Sequence, residues 1–277
     1  MSNFWSRTVT GLSMVFLVLL SLYVSQWMFA AILLLVAILG LLEFYSLTTT
    51  GGIYPQKKTG TVFGAIWFII SAVIALQSSF WNPFYLIVLP IPFLFLPFVF
   101  ELWSKKSTPI QNVSITITGM IYLVFPLSLL VIIFGQTQTF FLGMPAFLLG
   151  YLLITWIYDT GAYLFGSMFG KTRFFERISP KKTWEGTISG ALCAALIAVG
   201  MWRLVPDIPL TDWLTLLGIV LVFGTLGDLV ESLFKRSLNI KDSGNILPGH
   251  GGILDRFDSI LLSAPFVFLY FFLRNGI

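Results

Sequence analysis

The feature that most limits what this chain can become is a succession of long apolar runs, broken only by short polar segments, along its 277 residues. The runs lie near 8–25, 27–47, 60–78, 83–102, 113–135, 140–160, 185–205, 212–234 and 257–274. A helix needs about 20 apolar residues to cross bilayer hydrocarbon, and a chain in lipid must satisfy its own backbone polar groups. Composition agrees, with 57% of residues apolar and 10% charged, against roughly 25% charged in a soluble domain. An ordinary soluble globule is excluded. The expectation is an all-α polytopic membrane protein with about nine transmembrane helices. Arg7 precedes the first run, but no small-residue cleavage site is evident before the second, so the first is read as a retained helix.

Charge gives this series a direction. Arg7 lies before the first run, Lys57 and Lys58 after the second, and Lys105 and Lys106 after the fourth. Lys171, Arg173, Arg177, Lys181 and Lys182 follow the sixth, and Lys235, Arg236, Lys241 and Arg256 follow the eighth. Of the 16 basic residues only Arg203 and Arg274 fall on the other side. The positive-inside bias therefore predicts a cytoplasmic N-terminus and an outer C-terminus. That bias does not govern acids, yet Glu43, Glu101, Asp159, Glu176, Glu185, Asp228, Glu231, Asp242, Asp255 and Asp258 map to the cytoplasmic level as well. A site for cations and phosphates on that face accounts for them.

The single Cys193 excludes an internal disulfide and a multi-thiolate metal site. The one histidine, His250, leaves any chemistry to carboxylates, lysines and arginines, or to that imidazole. No repeat or linker divides the chain, which reads as one integral membrane domain, 1–277. Residues 1–140 are mainly apolar spans, and 141–277 form the half that carries chemistry.

Four constellations stand out. Asp159, in W-I-Y-D-T-G-A-Y-L-F-G, ends an apolar run, where a buried charge is costly; the ordinary alternative is an acid that has reached the headgroups. Ser179, Lys181 and Lys182 belong to S-P-K-K-T-W-E-G, which suits a phosphate but equally suits anionic headgroups. Gly224, Asp228, Glu231, Ser232 and Lys235 share one helical face, where two carboxylates a turn apart can hold magnesium. Glu231 and Lys235 could equally be a surface pair, which leaves Asp228 without a partner. Finally, Gly249, Gly251 and Gly252 let backbone N–H groups approach an anion beside His250, and Asp255 and Asp258 supply a second acid pair, with Asp255 alternatively a helix cap.

Residues 232–258, S-L-F-K-R-S-L-N-I-K-D-S-G-N-I-L-P-G-H-G-G-I-L-D-R-F-D, resemble the signature of the phosphatidate cytidylyltransferase (CDP-diacylglycerol synthase) family, and S-P-K-K-T-W-E-G is similar too. The likeness is firm over 156–258 and general before it.

The resemblance implies transfer of CMP from CTP to phosphatidic acid, with magnesium as cofactor and a second cation allowed. It implies Asp228 and Asp255 as metal ligands, and Lys235, Arg236 and Lys241 on phosphate oxygens. Asp242, His250 and Asp258 would orient groups or move protons. Asp159, Ser179, Lys181, Lys182, Glu231, Ser232, Gly251, Gly252 and Arg256 are expected to bind substrate. A homodimer in the inner (cell) membrane, with its site facing the cytoplasm, is implied as well; no nucleic-acid partner is expected. A related enzyme for another lipid phosphate stays open. An anion transporter predicts midplane charge and repeat symmetry, and the sequence has neither.

Overall fold

A computed structural model describes residues 2–77, 85, 88–240, 243–244 and 251–275, with the side chains of 2–10 and 50 outside that description. Among the described residues the helices, in chain order, are α1 (Ser2–Val24), α2 (Gln26–Thr50), α3 (Lys57–Leu76), α4 (Pro90–Glu101) and α5 (Pro109–Gln136). They continue with α6 (Ala146–Phe169), α7 (Trp184–Leu204), α8 (Leu210–Ser237) and α9 (Leu254–Asn275). Four short strands make two antiparallel hairpins, β1 (Phe140–Phe141) with β2 (Met144–Pro145) and β3 (Arg173–Phe175) with β4 (Ser179–Thr183). Seven helices, α2, α3 and α5 to α9, are long and apolar enough to cross a membrane, while α4 and the Gly11–Val24 part of α1 are shorter apolar helices. The chain is a multi-pass, all-α membrane protein.

Local chemistry sets several helix ends. Ser25 accepts from the Met28 amide at 3.1 Å to cap α2, and Thr183 accepts from the Gly186 amide at 3.2 Å to cap α7. Inside α5 a π turn, Met120–Val124, stands just ahead of Pro126, whose missing N–H would break the regular ladder there. A second π turn, Val220–Gly224, lies within α8. Its extra residue rotates everything beyond it by about 100° relative to an unbroken helix, and Thr225, Asp228, Glu231 and Ser232 come next in the chain.

The core centres on α5, where every residue from Leu127 to Phe134 is buried, as suits a helix surrounded by others. α2, α3 and α9 pack around it. The tightest pairing joins α6 to α7 through glycines. A Cβ on Gly190 would stand 2.7 Å from the Tyr158 carbonyl oxygen, and one on Gly186 would stand 2.6 Å from that of Ala162. Lipid offers little hydrophobic drive between helices, so small residues that let backbones meet supply the attraction. Hydroxyls complete the frame: Tyr158 bonds Thr225 of α8 at 2.5 Å, and Tyr151 bonds Ser263 of α9 at 2.6 Å.

The sixth span departs most from its expected limits of 140–160. Residues 140–145 form the β1–β2 hairpin, with Leu142 and Gly143 both at positive φ, and α6 then runs on to Phe169. Contact with α7 keeps the stretch after Asp159 helical, so this acid lies within a helix and not at its end.

Candidate active site

The π turn in α8 and the glycine contact between α8 and α9 bring the acids together. A Cβ on Gly227 would lie 2.4 Å from the Asp258 carbonyl oxygen, so only glycine lets the two backbones approach this closely. Asp228 of α8, Asp258 of α9 and Asp159 of α6 consequently line one cavity of about 850 Å3 and lie within electrostatic reach of one another. The Ser259 hydroxyl donates to Asp159 Oδ1 at 3.4 Å.

The β3–β4 hairpin brings the cationic side. Lys171 and Thr172 donate backbone N–H groups to the Glu185 carboxylate, at 3.1 and 3.0 Å, which fastens the hairpin's start to the first turn of α7. Phe174 meets Trp184 edge-on at 4.5 Å. So held, β4 directs Lys182 Nζ to within 2.8 Å of Asp228 Oδ2. Ser179, Lys181 and Arg256 line the same cavity.

Asp255 sits at the start of α9 with both oxygens engaged. Lys235 donates to Oδ1 at 2.6 Å, while Oδ2 accepts from the amides of Ser243 at 3.1 Å and Gly252 at 2.9 Å and lies 2.9 Å from the Ser243 hydroxyl, whose single proton lies between it and a second carboxylate. Lys235 also pairs with Glu231, and Ser232 donates to Asp228 Oδ1 at 3.3 Å. The glycine amide thus does meet an anion, but the anion is the protein's own carboxylate. Gly251 has φ +85°, and a Cβ there would lie 2.6 Å from Asp255 Oδ2.

Of the residues singled out by sequence, Asp159, Ser179, Lys181, Lys182, Asp228, Asp255, Arg256 and Asp258 line the cavity. Ser232, Lys235 and Gly252 touch these through the bonds above, and Glu231 reaches them through Lys235. Arg236 is exposed and donates to the Ile240 carbonyl oxygen at 3.2 Å, which spends part of its guanidinium on closing the end of α8. Lys241, Asp242 and His250 lie outside the described residues.

Sequence reasoning placed Glu43 of α2 among the acids at the cytoplasmic level but gave it no individual role. Its carboxylate accepts from the Ser243 hydroxyl and from the amides of Ile253 and Leu254, at 2.9 and 3.2 Å. The one available signal was a lone acid inside an otherwise apolar span.

Among the described residues no group of three or more acidic, histidine or cysteine side chains forms a ready metal cage. Asp228 and Asp255 do carry the hard oxygen donors that magnesium prefers. Each is paired with a lysine ammonium, Lys182 and Lys235 respectively. A divalent cation at either acid would compete with the ammonium already paired there.

The cavity's remaining wall is apolar, built from Met14 and Val18 of α1, Phe29 and Leu33 of α2, Leu130 of α5 and Leu152 of α6. Fold and cavity together define the class: a multi-pass membrane protein whose internal site joins an ionic wall to a hydrocarbon one. The family model of the cytidylyltransferase family matches residues 5–274, and the chain belongs to that family. It is 54% identical over 116 residues to the phosphatidate cytidylyltransferase of Staphylococcus aureus strain COL. It is 53% identical over 115 residues to that of Staphylococcus epidermidis strain ATCC 12228 and 52% over 115 residues to that of Staphylococcus haemolyticus strain JCSC1435. Each match spans 41% of this chain and 44% of the relative's length.

Proposed function

We propose that this protein transfers CMP from CTP to phosphatidic acid, releasing pyrophosphate and forming CDP-diacylglycerol. The observation that carries the proposal is the two-walled cavity. Its ionic side carries Arg173, Lys181, Lys182 and Arg256, which suit phosphates, beside Asp228 and Asp258, and its apolar side, with Val18, Phe29 and Leu130, suits acyl chains. A lipid phosphate is a substrate that needs both. Family membership and the names of the staphylococcal relatives point the same way.

In the reaction a phosphate oxygen of phosphatidic acid attacks the α-phosphorus of CTP, and the bond to the departing pyrophosphate breaks. Such transfers depend on positioning and charge neutralisation more than on covalent help from the protein. Lys182, Lys181 and Arg256 would steady phosphate oxygens, with Lys235 holding Asp255 in place beside them. Asp228 and Asp255 would hold magnesium, which when bound offsets the triphosphate's charge and polarises the reacting phosphorus. Ser179, Glu231, Ser232, Gly251 and Gly252 would shape the substrate's seat, and Asp159 and Asp258 would orient it. Arg236, Lys241, Asp242 and His250 are assigned to phosphate and proton handling on the motif resemblance alone. We also place nine spans in the bacterial cell membrane, with the N-terminus and the site on the cytoplasmic side, as the basic residues favour, and infer a homodimer by the same resemblance.

The test is incorporation of labelled CMP into lipid by detergent-purified protein given CTP and phosphatidic acid, with and without magnesium. Magnesium-dependent, CTP-selective incorporation is expected. Folded protein that labels another lipid phosphate and leaves phosphatidic acid unlabelled would overturn the substrate assignment, and no labelling of any lipid would overturn the activity.

A further inference from the structure

Glu43 presents a problem of its own. It is only 4% exposed, in an α2 whose preceding turns are apolar, and a carboxylate so placed is costly unless its oxygens are satisfied. Donors from a distant part of the chain satisfy them. The Ile253 and Leu254 amides belong to the start of α9, where a helix leaves N–H groups without internal partners and carries partial positive charge. Glu43 therefore caps α9 from another helix. Its third donor, the Ser243 hydroxyl, also stands 2.9 Å from Asp255 Oδ2.

The surrounding backbone is shaped to this carboxylate. A Cβ on Gly252 would lie 1.9 Å from Glu43 Oε1 and 2.0 Å from Ser243 Oγ, and one on Gly244 would lie 2.9 Å from Glu43 Oε2. A Cβ at Gly252 would displace both groups, so the seat depends on glycine there, while at Gly244 the carboxylate would have to give only slightly. The result is a continuous set of contacts from Glu43 through Ser243 to Asp255 and on to Lys235. With Oδ2 occupied on one side, Asp255 presents Oδ1 to the lysine.

We propose that Glu43 is a positioning residue of the active site: it fixes the start of α9 and the Ser243 hydroxyl, and through them the orientation of the Asp255 carboxylate. The proposal rests on the cytidylyltransferase reading for its kinetic consequence, but the clamp itself is a structural statement. A residue that merely stabilised the fold would change how much protein survives purification, not how each folded molecule performs.

The experiment uses the full chain in detergent, with Glu43→Gln, Ser243→Ala and the double variant. Hydrogen exchange of the segment around 251–258 reads the clamp without any substrate. Exchange there should rise about tenfold in Glu43→Gln as the local opening free energy falls, while the rest of the bundle keeps its protection. For CMP transfer, kcat should fall by about tenfold to a hundredfold, the scale set by small misplacements of a reacting group, with KM for CTP changed much less. Because both residues act through one path, the double variant should be no slower than the slower single variant. Unchanged exchange, a wild-type kcat in folded Glu43→Gln, or losses that multiply in the double variant would each overturn the proposal. If Glu43→Gln does not fold, Ser243→Ala alone decides, since it removes the same link with a smaller change. A wild-type chain that transfers no CMP would defeat the functional reading, and the exchange result would still establish or refute the clamp.

Discussion

Lys182 and Asp228 stand 2.8 Å apart, and this ion pair joins a surface hairpin to the membrane helix α8. Their side chains are 25% and 33% exposed, enough contact with solvent for a substrate phosphate to compete for the lysine. The pair is thus suited to opening on binding, with the ammonium passing to a phosphate oxygen while the carboxylate becomes free to meet a cation. Lys182→Met should lower kcat for CMP transfer by on the order of a hundredfold, comparable to the loss of one preorganised charge donor. Steady-state kinetics on the folded variant would check this, and near-normal turnover would remove Lys182 from the site.

Asp228 and Asp255 face different lysines, so their loss should be distinguishable from loss of fold. Replacing either by Asn keeps its size and several hydrogen-bond partners while deleting the charge. Both variants should stay helical and membrane-inserted yet lose at least about a hundredfold in turnover, and excess magnesium should not restore it. Recovery of activity in either variant at high magnesium would recast that acid as tuning cation affinity only.

The sequence disclosed the spans and the motif residues because both are local signals. Apolar runs mark helices directly, and Asp228, Glu231, Ser232 and Lys235 fall on one face by simple periodicity. It did not disclose Glu43 with Ser243, which are 200 positions apart, since nothing in either segment names the other. Nor did it disclose the continuation of α6 beyond Asp159, where glycine contacts with α7 override a polar break. The π turn of α8 was hidden for a third reason: one added residue in a run of apolar side chains leaves no mark on composition.

Packing between α6 and α7 should matter to chemistry although none of its glycines touches the cavity's acids. Gly190→Val places a branched side chain where even a Cβ would lie 2.7 Å from the Tyr158 carbonyl oxygen. The helices must separate, at a cost of about 1–3 kcal/mol for overpacking. Asp159 is carried by one helix and Lys182 precedes the other, so the variant should melt earlier and also lose transfer activity. Thermal unfolding in detergent beside a kinetic assay reads both effects, and an unchanged melting temperature would show that the contact is looser than described.

At the opposite end of the bundle, a second ionic cluster should behave in the contrary way. Asp212, 5% exposed, pairs with Arg274 and accepts from the Tyr270 hydroxyl at 2.9 Å, which fastens the last turn of α9 to the first turn of α8. Neither charge lines the cavity that holds Asp228 and Asp255. Arg274→Ala leaves a buried carboxylate with only the Tyr270 hydroxyl and a long contact from the Thr211 hydroxyl, a loss of roughly 1–3 kcal/mol. The expected outcome is a lower melting temperature with kcat and KM unchanged below the transition. A kinetic defect in that variant would mean that the two ends of α8 and α9 are coupled, and that the site's geometry depends on how firmly both helices are tied at the far side.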